Sequence, residues 1–398
     1  MDITATGPFV RSLATAETLT VDDLRARGGS KWTTFPDSIG TFVAESDFGT
    51  APAVLDAVRS RVDNLDFGYT TVARKSDLAA STTRFLADRY GWEVDPAQVG
   101  VLPEVLSSLE VTLEHFSRPG PVIVPTPTYM PFFHLLRDHG REIVEVPMLQ
   151  STVDGQGTWT LDHDRIGDAF WNGASLLILV NPANPTGTVF TRAQLEPLVG
   201  IVDRYGGRVW ADEVHAPLIY DRRRHVPYAS LSETAASHTV TATSASKGWN
   251  IPGLTCSQTV FSAEDAPTWR RVGTWTGHAV GHLGVEATIA AYDDGRDWLD
   301  ALVTHLQGHR DLLVDLVAEH LPRARFLPPQ GTYLDFLDLR GYEVRGSVES
   351  LLRRQAGVAG TDGRRCGKDF RGWFRVNHAT PAAILTETVR RIGRVLER

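Results

Sequence analysis

Cysteine is nearly absent: Cys256 and Cys366 are the only two in 398 residues. That excludes a disulfide framework and fits a reducing compartment, so a cytoplasmic protein is expected. The N-terminus, MDITATGPFVRSLATAETLT, lacks a basic start followed by an apolar run and does not read as a secretory signal. Long apolar runs are missing too; Leu176-Leu177-Ile178-Leu179-Val180 is far too short to span a bilayer. Positive charge is in deficit. The net charge of −8 argues against nucleic acid or an anionic membrane as a partner. Lysine is scarcest of all the charged residues: Lys31, Lys75, Lys247 and Lys368 are the whole set, and arginine supplies the rest of the 40 basic residues. A lysine kept in an arginine-rich chain points to amine chemistry, which a guanidinium cannot perform.

What is present is an ordinary globular balance, 42% hydrophobic and 22% charged, in a chain long enough for a large domain with a smaller lobe. No internal repeat or low-complexity tract is visible. The first ~16 residues are small and polar and are expected to be disordered. Residues 121–124, 175–180 and 208–211 read as buried strands. Thr191 to Tyr205 reads as a helix, with Thr191 and Gln194 spaced as a capping box. Buried strands alternating with helices predict an α/β fold: a mainly parallel sheet covered on both faces, with its site at the carboxyl ends of the strands. From about Tyr292 the pattern changes. A long amphipathic helix is expected over 298–320, a half-buried alternating strand over 331–338, and a closing helix over 381–396. The expected division is 1–48 as a segment joining the small lobe, 49–290 as the large domain, and 291–398 as a small α+β domain.

Three segments carry chemistry. Lys247 lies in Ser244-Ala245-Ser246-Lys247-Gly248-Trp249-Asn250-Ile251-Pro252-Gly253-Leu254, where serines can donate to a phosphate while the amine attacks an aldehyde. The alternative is a surface lysine in a turn. Asn184, in Asn181-Pro182-Ala183-Asn184-Pro185-Thr186-Gly187, can donate to a ring hydroxyl or simply form a turn. Asp212, in Trp210-Ala211-Asp212-Glu213-Val214-His215, can keep a pyridine nitrogen protonated or merely cap a helix.

Together these segments resemble the aminotransferase class I/II family of pyridoxal-phosphate (PLP) enzymes, of fold type I. The resemblance runs from about Leu19 to the C-terminus. It is closest to the MalY/PatB-like cystathionine β-lyase (C–S lyase) branch. Further matches are Lys31-Trp32, Val43-Ala44-Glu45-Ser46-Asp47-Phe48, Phe67-Gly68-Tyr69 and Phe374-Arg375-Val376-Asn377.

The resemblance implies PLP as cofactor and a role for each matched residue. Lys247 is the Schiff-base lysine and the base at the substrate α-carbon. Asp212 is the partner of the pyridinium nitrogen, Asn184 the donor to the ring hydroxyl, and Tyr129 the ring that stacks on the cofactor. Ser244 is a phosphate ligand, with Val105 and Leu106 at the phosphate cup. Arg375 clamps the substrate α-carboxylate, with Asn184 and Asp47 beside the substrate. His215 stands where many relatives carry a tyrosine, and packing and cofactor contact are equal readings for it. Tyr69 matches the tyrosine that reaches a neighbouring subunit's phosphate, which implies a homodimer with shared sites.

Two departures matter. Glu104 stands where the cup usually has glycine. A carboxylate there would repel phosphate, so Glu104 is expected to turn outward, toward a distal part of the substrate or toward solvent. Thr255 replaces a basic residue found near the phosphate in many relatives. The implied reaction is β-elimination from an L-cysteine S-conjugate, a small-molecule amino acid, giving thiol, pyruvate and ammonia. An aminotransferase, or a decarboxylating or oxidative relative, is the alternative on the same scaffold. A catalytically idle binding protein would have no need of Asn184, Asp212, Lys247 and Arg375 together.

Overall fold

The apolar runs become the strands of one sheet. The structure, a computed structural model, describes residues 8–153 and 155–398. Among these, the main sheet holds β1 (Val99–Leu102), β2 (Val122–Thr126), β3 (Ile143–Pro147), β4 (Leu176–Val180), β5 (Arg208–Asp212), β6 (Thr239–Thr243) and β7 (Ser257–Val260). Their spatial order is β1-β7-β6-β5-β4-β2-β3. From β6 to β3 all neighbours are parallel, while β7 runs antiparallel to both β1 and β6. Every residue of β2, β4 and β6 is buried, as strands between two helical layers require; β4 is wholly apolar, while β6 alternates threonine with Val240 and Ala242. The helix after β4 spans Arg192–Arg204, and the Thr191 backbone N–H donates to Gln194 Oε1 at 2.9 Å.

A second, antiparallel sheet follows the long helix Arg296–His320. It contains β8 (Arg325–Phe326), β9 (Leu334–Asp338), β10 (Thr361–Asp362) and β11 (Trp373–Asn377), in the order β8-β9-β11-β10. The closing helix is Ala382–Leu396. Residues 39–40 pair in parallel with residues 358–359.

Two expectations need correction. The alternation over 331–338 predicts a half-buried strand, yet every residue of β9 is buried. Leu334, Phe336 and Leu337 enter three different hydrophobic clusters, so both faces are covered. The polar members have internal partners: Asp335 Oδ2 contacts His378 Nδ1 at 2.7 Å, though its Oδ1 has none, and Asp338 accepts from Arg340 at 2.7–2.8 Å. Disorder was also expected over the first ~16 residues. Residues 1–7 lie outside the described part, but Pro8–Ala16 is a helix. Leu13 and Ala16 are buried in the cluster that includes Trp298, Leu302 and Leu306 of the long helix.

Candidate functional site

A cavity of about 430 Å³ opens at the carboxyl ends of the parallel strands, where open α/β sheets place ligands. Asp212 is the last residue of β5. Ser244 follows β6 directly, Tyr129 lies three residues beyond β2, and Asn184 lies four beyond β4. Of the residues singled out in the sequence, Lys247, Asp212, Tyr129, Asn184, Ser244, His215, Val105, Leu106 and Arg375 all line it.

Lys247 stands on the single turn Ala245–Gly248. Ser244 caps that turn: its Oγ accepts from the Ser246 N–H at 3.0 Å and donates to the Cys256 carbonyl at 2.7 Å. The hydroxyl hydrogen is therefore directed at Cys256. The Lys247 ammonium donates to the carbonyl of Ala44 at 2.9 Å, and Tyr333 donates to the same oxygen at 3.0 Å. Burial pulls the Lys247 amine below the usual lysine range, with Glu45 opposing. Such a shift raises the share of neutral, nucleophilic amine.

Asp212 is buried and accepts one hydrogen bond at its carboxylate, from the Val214 N–H at 3.1 Å. Burial pushes its carboxyl up to about 6, against the Val214 hydrogen bond and the charge of Lys247. Among the described residues it has no ion-pair partner. Arg375, on β11, is 3% exposed. It donates to Asn184 Oδ1 at 3.1 Å and to the Phe42 carbonyl at 2.5 Å, while its Nε has no partner. Burial disfavours its charge, and no described carboxylate pairs with it. His215 faces Thr332 Oγ1 through Nδ1 at 2.9 Å, and burial holds its ring well below the normal histidine range, so the ring is neutral. Burial raises the Tyr129 phenol, whose ring meets Phe132 edge-on at 5.4 Å.

Two of the residues lie elsewhere. Asp47, expected beside the substrate, is buried and committed: Lys31 Nζ and Trp32 Nε1 each donate to one of its oxygens at 2.8 Å. With both oxygens engaged it is an anchor, and the expectation of substrate contact is corrected. Tyr69 is outside the cavity, 83% exposed, with its ring 5.1 Å from that of His278. Glu104 lines the cavity at its exposed rim and precedes the helix Val105–Val111 without capping it through its side chain. Thr255 takes a left-handed backbone (φ 48°) and is not among the lining residues. Sequence reasoning missed the wall made by Phe42 and Thr361, and the cation of Arg365. The pair Arg364-Arg365 carries no signal of which member faces inward; Arg364 is held by Asp362 at 3.1 Å.

A model of the aminotransferase class I and II family matches residues 38–392. The chain belongs to that family. It is 35% identical to a cystathionine β-lyase of Corynebacterium glutamicum, over 94% of this chain and 99% of the relative. It is 30% identical to cystathionine β-lyase PatB of Bacillus subtilis, over 90% and 93%. A solved structure from Corynebacterium diphtheriae, of a candidate PLP-dependent β-cystathionase, superposes with a TM-score of 0.89 at 37% identity, covering 96% of this chain and 98% of that one. The architecture is thus fold type I, as in this family's PLP enzymes.

Proposed function

We propose that the protein is a PLP-dependent carbon–sulfur β-lyase acting on an L-cysteine S-conjugate. One observation carries the reading: a single cavity gathers an amine, a carboxylate and a guanidinium, and none of the three has an ionic partner within the described chain. Buried charges of this kind are costly unless a ligand supplies the opposite charge. PLP and an amino acid together fit: a pyridinium for Asp212, an aldehyde for Lys247, an α-carboxylate for Arg375. The similarity to cystathionine β-lyases along nearly the full chain supports elimination as the reaction.

PLP, when bound, supplies a sink for the electrons left at the substrate α-carbon. The residues then divide the work. Lys247 would hold the cofactor through its aldehyde, and its free amine would take the substrate α-proton on Nζ. Asp212 would keep the ring nitrogen protonated. Asn184 gives Oδ1 to Arg375, which leaves its amide N–H groups for the ring hydroxyl. Tyr129 would flank the ring, and Val105 and Leu106, which line the same cavity, would stand at the phosphate. Arg375 presents a planar fork to the α-carboxylate. A thiolate leaves the β-carbon without acid assistance; with one water consumed, the products are thiol, pyruvate and ammonium.

We further propose a cytoplasmic homodimer in which Tyr69 reaches the partner's site, and a division into a large domain (49–290) and a small lobe (291–398 with 1–48). Leu65, Phe67, Tyr69, Val72 and Trp275 are between 64% and 83% exposed, an amount of bare apolar surface that favours a protein contact. Both cysteines are free and buried, and no helix among the described residues is long and apolar enough to cross a membrane.

The deciding experiment incubates the PLP-loaded protein with cystathionine and other cysteine conjugates, and separately with amino acid and keto acid pairs. Equimolar thiol and pyruvate are expected. New amino acid formed without thiol or pyruvate would overturn the proposal in favour of an aminotransferase.

A further inference from the structure

A second cluster of chemically capable side chains lies apart from the cavity. His305 and His309 are four residues apart on the helix Arg296–His320 and therefore project from the same face. Glu17, just after the helix Pro8–Ala16, meets both. Its Oε1 is 2.7 Å from His305 Nε2 and 2.8 Å from His309 Nε2. Its Oε2 accepts from the Ala382 N–H at 2.9 Å, at the start of the closing helix. The Phe48 ring covers the two imidazoles, with centroids 4.6 and 5.2 Å away. None of these residues lines the cavity.

His309 Nδ1 lies 3.1 Å from the carbonyl oxygen of His305, so it must carry a hydrogen and donate it. In the neutral ring, Nε2 is then a bare lone pair, 2.8 Å from a carboxylate oxygen. Nε2 is buried, and its 2.8 Å contact with Glu17 is an ion-pair distance whose direction is poor for a hydrogen bond. The three ligand atoms, one from each side chain, all lie within 4.8 Å of one another. A shared cation, either a proton on His309 or a metal ion, would offset the carboxylate charge.

We propose that Glu17, His305 and His309 form a site for a divalent transition metal of the zinc class, distinct from the catalytic cavity. Two imidazoles and one carboxylate, with the histidines at i and i+4 on a helix, are a borderline-soft ligand set suited to Zn²⁺. Metal–ligand bonds of about 2.0–2.1 Å in a tetrahedron need ligand atoms roughly 3.3 Å apart. The two contacts to Glu17 have to open by about 0.5 Å, and the two imidazole nitrogens already lie within 4.8 Å of each other. The Glu17 and His305 side chains are 25% and 23% exposed, which leaves an open side for a water as fourth ligand, while His309 is 7% exposed and fixes the inner wall. The site clips the N-terminal segment to the long helix and, through Glu17 Oε2, to the start of the closing helix. Its role is therefore structural, and it does not depend on the proposed lyase activity.

The test uses the full-length, untagged, PLP-loaded protein after chelator treatment. Titration with Zn²⁺ followed by calorimetry should give one site per chain. At about 100-fold excess over Kd, the melting temperature should rise by about 3 °C for a chain of this size. Glu17→Gln and His305→Gln preserve shape and should lose both the binding and the rise. Absence of Zn²⁺ binding, or binding and a temperature rise that survive both substitutions, overturns the site. Should a variant fail to fold, X-ray absorption on the zinc-loaded wild-type protein decides: two imidazoles with oxygen ligands support the site, and sulfur ligation overturns it.

Discussion

Lys31 and Lys247 are two lysines in opposite circumstances. Lys31 is 2% exposed and saturated: its ammonium donates to Asp47 at 2.8 Å and to the carbonyls of Glu45 and Ala379 at 3.3 Å each. Lys247 is half-buried at the cavity wall and donates to one carbonyl. The contrast extends to neighbouring charges. Asp47 has both oxygens engaged by Lys31 and Trp32, whereas Asp212 has no cation in contact. Arg310 is clasped by Asp221 at 2.6 and 2.9 Å, whereas Arg375 meets no carboxylate. A buried charge that has its partner belongs to the architecture. One that lacks its partner is reserved for a ligand, because folding does not retain an unpaired buried charge for stability.

The largest effect expected from this contrast is at Lys247. Lys247→Ala should reduce turnover to background and remove the visible absorption of covalently bound cofactor, while folding is hardly disturbed. Borohydride treatment followed by peptide mapping checks the link directly. A reduced cofactor adduct on Lys31, Lys75 or Lys368 would refute it.

The opposite result is expected at the paired lysine. Asp47→Asn keeps an acceptor for Trp32 but leaves Lys31 buried without a counter-charge. Breaking a buried pair in this way costs about 3–5 kcal/mol, read as a shift of the urea midpoint. Cofactor absorption at low temperature should be unchanged. If Asp47→Asn instead raised KM and left the midpoint in place, Asp47 would be a substrate residue after all.

Asp212 tests the contrast through pH. In the folded, cofactor-free protein its carboxyl holds a proton up to about pH 6, against an ordinary value of 3.8. Between those values the folded state binds more protons than the unfolded state, so stability falls as pH rises, by about 3 kcal/mol in total. That fall should be absent from Asp212→Asn, measured by denaturant unfolding at pH 4 to 7. In the loaded enzyme the same substitution should cost about 10²-fold or more in kcat, as losing a charge placed for the reaction does.

The parts of the molecule legible in the sequence are those written locally. The cavity residues sit within a few positions of strand ends, in segments such as 181–187, 210–215 and 244–254, so strand prediction and motif together located them. Long-range pairing was not legible. Nothing near Asp47 says that its oxygens are taken by Lys31 and Trp32 rather than by substrate. Nothing in the 331–338 alternation says that the second face of β9 is also covered. Glu17 and His305 are 288 positions apart, so only the fold brings them together. The His-x₃-His spacing at 305–309 was visible and was absorbed into an amphipathic helix.

The smallest effect belongs to Glu104, where this chain departs from its family. A carboxylate at a phosphate cup is unfavourable at close range, yet Glu104 is solvent-exposed at the cavity rim, and exposed charges are screened within about 8–10 Å in physiological salt. The contrast between paired and reserved charges therefore places it in neither class. It has no ion-pair partner among the described residues, but water already stabilises it, so nothing compels a ligand there. Glu104→Gln removes the charge and keeps the shape. Cofactor affinity should improve by less than about five-fold, equivalent to under about 1 kcal/mol, and the gain should disappear in high salt. Effects on substrates should follow the charge of their distal end: kcat/KM for conjugates carrying a distal cation should fall by a similar small factor, and that for neutral conjugates should stay level. Equal changes for cationic and neutral conjugates would show that the rim carboxylate does not read the substrate. A gain in cofactor affinity well beyond ten-fold would show that Glu104 faces the phosphate, and that the exposed rim misstates where its charge acts.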